Sequence, residues 1–136
     1  MKYLNNIIAS IILTVIDIIW IKIYMKKKYE KLVKKIQKNN MKSNIFSAIA
    51  AYILMLVGLN LFVLPKIEDG NEFKTSILYG FSFGIIVYGV YDFTNGVIFK
   101  DWDFKLAFID ILWGGFVYFL SSFLPHIISK QIKKNI

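Results

Sequence analysis

The sequence predicts an all-α, polytopic membrane protein: a four-helix transmembrane bundle with a basic amphipathic interfacial segment between spans 1 and 2. Three observations carry that expectation. Hydrophobic residues make up 57% of the 136, and aromatic residues 17%, whereas a soluble domain is usually only roughly 45–50% apolar. Four apolar stretches, residues 4–24, 44–64, 75–99 and 104–128, approach the roughly 20 residues that a hydrocarbon core demands. The 17 basic residues are all lysine, and many of them crowd between Lys26 and Lys42, against the end of the first stretch. Mean hydropathy is +0.54. The connections are too short for a soluble domain, so a single integral membrane domain over residues 1–136 is expected.

Span 1 could be mistaken for a signal peptide, since Lys2 precedes an apolar run. The run is long, however, holds Asn5, Asn6, Asp17 and Lys22, and ends in lysines without a small-residue cleavage pattern. Lys22 follows Asp17 by five residues, about 140° round a helix, so it is expected to snorkel to the headgroups rather than to pair with Asp17.

After span 1, Tyr29, Leu32, Val33 and Ile36 recur at helical spacing, with lysines on the other side. That pattern predicts an amphipathic helix lying on the membrane. Lys26, Lys27, Lys28, Lys31, Lys34 and Lys35 are then placed to meet anionic lipid headgroups, at about 1 kcal/mol each near such a surface. By the positive-inside rule the Lys26–Lys42 loop is cytoplasmic, and both termini are on the opposite side. The tail lysines Lys130, Lys133 and Lys134 pull the other way. Nucleic acid is not expected as a partner: arginine, the commonest reader of base edges, is absent, and the lysines abut a span.

Span 2 has no acid; its Ser47–Ala51 stretch, SAIAA, and Gly58 leave room beside other helices. In span 3, Gly80, Gly84, Tyr88, Asp92 and Asn95 fall on one stripe. The Gly80/Gly84 pair marks a close-packing face. Span 4 places Asp110, Trp113 and Gly114 together, with Gly114 as a further packing residue. Span 1 offers Asn6, Ser10, Thr14, Asp17 and Tyr24, with Trp20 beside them.

Depth ties these residues together. Asp17 lies seven residues before Tyr24, Asp92 seven before Phe99 and Asp110 six after Phe104. At about 1.5 Å per residue the three carboxyls sit at one level, roughly 10 Å inside one face. Asp17, Asp92 and Asp110 are therefore expected to form an inward cluster with Asn95, Tyr88, Trp20 and Trp113.

DIIW at Asp17 to Trp20, YGVYDFTN at Tyr88 to Asn95, and DILWG at Asp110 to Gly114, with Trp102 in a short loop, resemble a family of small membrane proteins, the domain-of-unknown-function 2177 family. The likeness covers nearly the whole chain, and its main departure is the lysine-rich first loop. It implies a four-span membrane protein and supplies no established activity.

Three functions compete for the cluster. The first is structural or binding: the acids bond to Tyr88, Tyr91, Thr94, Asn95 and the indole N–H groups of Trp20 and Trp113. The second is a proton- or cation-coupled transporter or channel, in which two adjacent carboxyls share a proton; four helices being few for a pore, it calls for a homo-oligomer. Against it, span 2 offers little that is polar near the inner face. The third is an enzyme acting on lipid headgroups, which lacks company for the acids: Ser121, Ser122 and His126 lie at the far end of span 4, and His126 reads as an interfacial residue. The chain has no cysteine, so thiolate chemistry is excluded, and neither a cofactor nor a metal site is expected.

Overall fold

The computed structural model describes residues 2–136. Four helices are long and apolar enough to cross a membrane. The first runs without a break through α1 (Lys2–Trp20), a π-helical turn at Ile21–Met25, and α2 (Lys26–Gln37). The second is α3 (Ile45–Gly58), continued by a π turn at Leu59–Val63 and a 3-10 turn at Leu64–Lys66. The third joins α4 (Glu72–Thr75), a π turn at Ser76–Phe81 and α5 (Ser82–Ile98). The fourth, α6 (Phe104–Asn135), carries Pro125 in its interior.

The breaks between helices have local causes. Lys38 closes α2 with a left-handed backbone, φ 64°. The Asn44 side chain accepts from the backbone N–H of Ser47 at 3.2 Å and starts α3. Gly70 turns the next connection at φ 86°, a region open to glycine. One oxygen of Asp103 accepts from the N–H groups of Lys105 and Leu106, at 3.0 and 3.2 Å, and caps α6.

The burial pattern is inverted relative to a water-soluble protein. Ile7, Leu54, Val90, Val97 and Phe108 are exposed, Val97 at 88%, while Asp17, Asp92, Asp110, Ser121 and Ser122 are buried. Such a surface calls for lipid as solvent. The central helix is α6, with 56% of its most apolar stretch buried, against 17%, 22% and 22% for the other three. Around it Ala9, Leu13, Leu59, Val63, Val117 and Tyr118 form the main core.

Packing of α5 on α6 depends on missing side chains. A Cβ on Gly84 would collide with the Gly114 carbonyl and approach Cα of Gly115. One on Gly80 would meet Ser122 and the Tyr118 carbonyl. At the opposite end from the acids, Glu72 pairs with Lys130; with Lys130 52% exposed, such a pair stabilises little.

The lysine-rich segment departs from expectation. It is helical over Lys26–Gln37, but its apolar stripe does not lie open to the membrane. Leu32 is buried with Met25, Trp102, Leu106 and Ala107, and Tyr29 and Ile36 pack alongside. With the helix running unbroken out of span 1, Trp102 and the first turns of α6 are the apolar surface within reach.

Candidate functional site

Asp17 is 4% exposed and receives one donor from each of the other three spans. The Tyr52 hydroxyl on α3 donates to Oδ2 at 2.7 Å. The Tyr88 hydroxyl on α5 and the indole N–H of Trp113 on α6 donate to Oδ1 at 2.9 and 2.8 Å. Four helices thus converge on one carboxylate. Three donors satisfy a buried carboxyl, and no polar alternative is offered by lipid.

The neighbours explain how the donors arrive. A Cβ on Gly114 would run into the Tyr88 ring, so the glycine beside Trp113 makes room for that tyrosine to reach across to α1. Trp20 stacks on Trp113, with ring centres 4.4 Å apart and planes 6° from parallel, and on Tyr24 at 4.4 Å. The stack fixes the Trp113 ring in the plane from which its N–H reaches Asp17. Contrary to expectation, the Trp20 N–H itself bonds to none of the acids; it is buried without a partner.

Asp92 is fully buried and Asp110 is 7% exposed. Neither oxygen of Asp92 has a donor, and the carboxyl beside it is that of Asp110. The Asp110 carboxyl in turn lies near Asp17 and the Tyr29 hydroxyl. Asn95 is half-buried and, among the described residues, donates to none of the three acids. Thr94 is exposed. No base compensates these carboxyls: among the described residues the only ion pair is Glu72 with Lys130. Lys22 is exposed. Among the described residues no three His, Cys, Asp or Glu side chains are grouped to hold a metal ion.

Beside the hub a half-open groove of about 460 Å³ is lined by Asp17 and Asp110, by Trp20 and several tyrosines, and by apolar Leu54, Phe83 and Val87. Tyr29, Tyr52, Tyr88 and Tyr91 all contribute to its wall. At the other end of the bundle His126 is buried, at 8% exposure, rather than displayed at an interface. Its Nδ1 lies 3.0 Å from the Ser122 carbonyl, which can only accept. It lines a separate cavity with Asn5, Asn6, Asn60 and Lys133.

Tyr52 is the contributor that sequence reasoning misses, and it corrects the expectation that span 2 holds little that is polar near the inner face. A signal for it exists: it lies eight residues after Asn44, about 12 Å along a helix, close to the depth of the acids. Within an apolar span a tyrosine passes for bulk.

The fold and the hub define a multi-pass, four-helix membrane protein with a buried acid–aromatic centre. The family described as "Predicted membrane protein (DUF2177)" matches residues 3–126, and the chain belongs to that family. No curated protein and no solved structure matches it.

Proposed function

We propose that the protein is a binding protein of the membrane, in which Asp17 ties the four spans together and, with Asp110, floors a groove for an amphiphile with a cationic head. The observation that carries the reading is that three carboxyls are buried in the bundle and none is paired with a base among the described residues. Buried intramembrane acids call for a partner. An amine or quaternary ammonium in the groove would lie beside Asp17 and Asp110 among the rings of Trp20, Tyr52, Tyr88 and Tyr91, whose faces attract cations. The tail would follow Leu54, Phe83 and Val87. The groove's volume of about 460 Å³ is in the range of small-molecule sites, roughly 300–1,000 Å³.

The test is a melting series on protein in lipid nanodiscs, with alkyltrimethylammonium, alkyl sulfate and alkyl maltoside of equal chain length. The cationic amphiphile is expected to raise Tm saturably, with at least tenfold weaker apparent affinity in Asp110→Asn. Equal stabilisation by all three would remove the reading.

Proton exchange is the second reading, favoured by the donor-free Asp92 beside Asp110. One proton shared between the two carboxyls would make one of them a donor and remove a like-charge contact. Proton flux in proteoliposomes that falls steeply in Asp92→Asn would favour it. Absence of flux under every ion gradient would leave binding alone.

For orientation, the Lys26–Lys42 loop is placed in the cytoplasm with both termini opposite, on the density of lysine. Single cysteines at Lys34 and Asn71 of this cysteine-free chain are expected to be labelled from opposite sides, Lys34→Cys from the cytoplasm. Labelling of both from one side would contradict the four-span topology.

A further inference from the structure

We propose that a second cavity, between α2 and the start of α6, binds a phosphate group and that this phosphate is the head of a membrane lipid. The cavity, of about 760 Å³, shares no lining residue with the acidic groove. Lys28, Lys31 and Lys35 of α2 line one side and Lys105 of α6 the other. The three α2 lysines stand at i, i+3 and i+7, one face of a helix. None of the four ammonium groups is paired with a carboxylate among the described residues; Lys28 lies over the Tyr24 ring at 4.8 Å.

Asp101 and Asp103 also line the cavity. One oxygen of Asp103 is already engaged by the N–H groups that begin α6, and four lysines against two aspartates leave a net excess of two positive charges. A further donor stands unsatisfied: Trp102, 8% exposed, lines the cavity, and its indole N–H has no partner. Converging ammonium groups favour an anion with several acceptor oxygens, which a phosphate supplies and a carboxylate supplies less well.

The apolar side of the cavity selects the source. Phe104, Leu106 and Ile109 line it, and exposed Phe104, Phe108 and Leu112 continue down α6 as a stripe at four-residue steps. A lipid whose head sits among the lysines would lay a chain along that stripe. The lysines of α2 are thereby divided: Lys28, Lys31 and Lys35 line this cavity, whereas Lys27 and Lys34 line a different one, which Lys31 shares.

That division supplies the experiment. Full-length protein in nanodiscs would be titrated with phosphatidylglycerol against phosphatidylcholine, and lipid retention read by native mass spectrometry. Glycerol phosphate would be supplied as the soluble competitor. The substitutions are Lys35→Gln and Lys105→Gln, with Lys27→Gln and Lys34→Gln as charge-matched controls; all four positions are exposed, so folding is not at stake. A built site predicts at least about thirtyfold loss of anionic-lipid retention at Lys35 and Lys105 and no more than about fivefold at the controls, since a diffuse surface attraction of about 1 kcal/mol gives each lysine a similar, smaller effect. Trp102→Phe is expected to weaken retention as well. Equal losses at all four lysines would overturn the site. Glycerol phosphate displacing the lipid at similar concentration would keep the phosphate site and overturn the lipid as its source.

Discussion

Asp17→Ala is expected to loosen the bundle more than any other single change at the site. It removes the shared acceptor of Tyr52, Tyr88 and Trp113 and leaves three donors from three helices without a partner. An orphaned buried donor costs about 1–3 kcal/mol in a protein interior, while interhelical hydrogen bonds in membranes average about 0.6 kcal/mol and reach about 1.7. The expected loss is therefore about 2–5 kcal/mol. Removing one donor should cost less, about 0.5–1.7 kcal/mol for Tyr52→Phe, because Asp17 keeps two others. Asp17→Asn should fall between, since its amide nitrogen would face at least one donor. Unfolding in mixed micelles followed by circular dichroism gives the series. An Asp17→Ala protein within about 0.5 kcal/mol of the parent would show that the hub does not hold the helices.

Gly84→Ala is the second large effect. The added methyl would meet the Gly114 carbonyl and Gly115 Cα, and neither is the end of a flexible side chain, so α5 and α6 must part. Overpacking of this kind costs about 1–3 kcal/mol. Here the damage should also reach the hub, because Gly114 adjoins Trp113, whose N–H bonds to Asp17. A methyl added to Gly89, on the same helix, would find nothing within 4 Å. Gly89→Ala is thus the control, expected to be neutral or stabilising by up to about 1 kcal/mol. Both variants can be read by the same micelle titration, together with the near-ultraviolet signal of the stacked Trp20 and Trp113.

Much of this arrangement is legible in the sequence, for reasons that differ by residue. Membrane helices announce themselves by length and composition, and Gly80, Gly84 and Gly114 by their spacing against polar neighbours. Helix periodicity places Asp17, Asp92 and Asp110 at one depth, and all three are buried. Periodicity says nothing of which donor each acid meets. That depends on how far a ring reaches across an interface, so the pattern passes over Tyr52 and credits Asn95, one turn from Asp92, with a contact that it does not make. The stripe of Tyr29, Leu32 and Ile36 is apolar, as its spacing implies, but a sequence carries no mark that distinguishes lipid from Trp102 as the surface covering it.

The most direct measurement of groove binding is quenching of tryptophan fluorescence by a long-chain trimethylammonium compound brominated near its head. Trp20 lines the groove and stacks on Trp113, whereas Trp102 lines the lysine-rich cavity. In a Trp102→Phe protein, saturable quenching of the remaining tryptophans is expected, weakened at least tenfold by Asp110→Asn. A Trp20→Phe, Trp113→Phe protein should show weaker quenching of Trp102, which stands behind Tyr29 and Tyr91 with ring centres 6.3 Å away. Quenching that rises linearly without saturation, or that is the same for Trp102 as for the stacked pair, would contradict a cation-binding groove at Asp17 and Asp110.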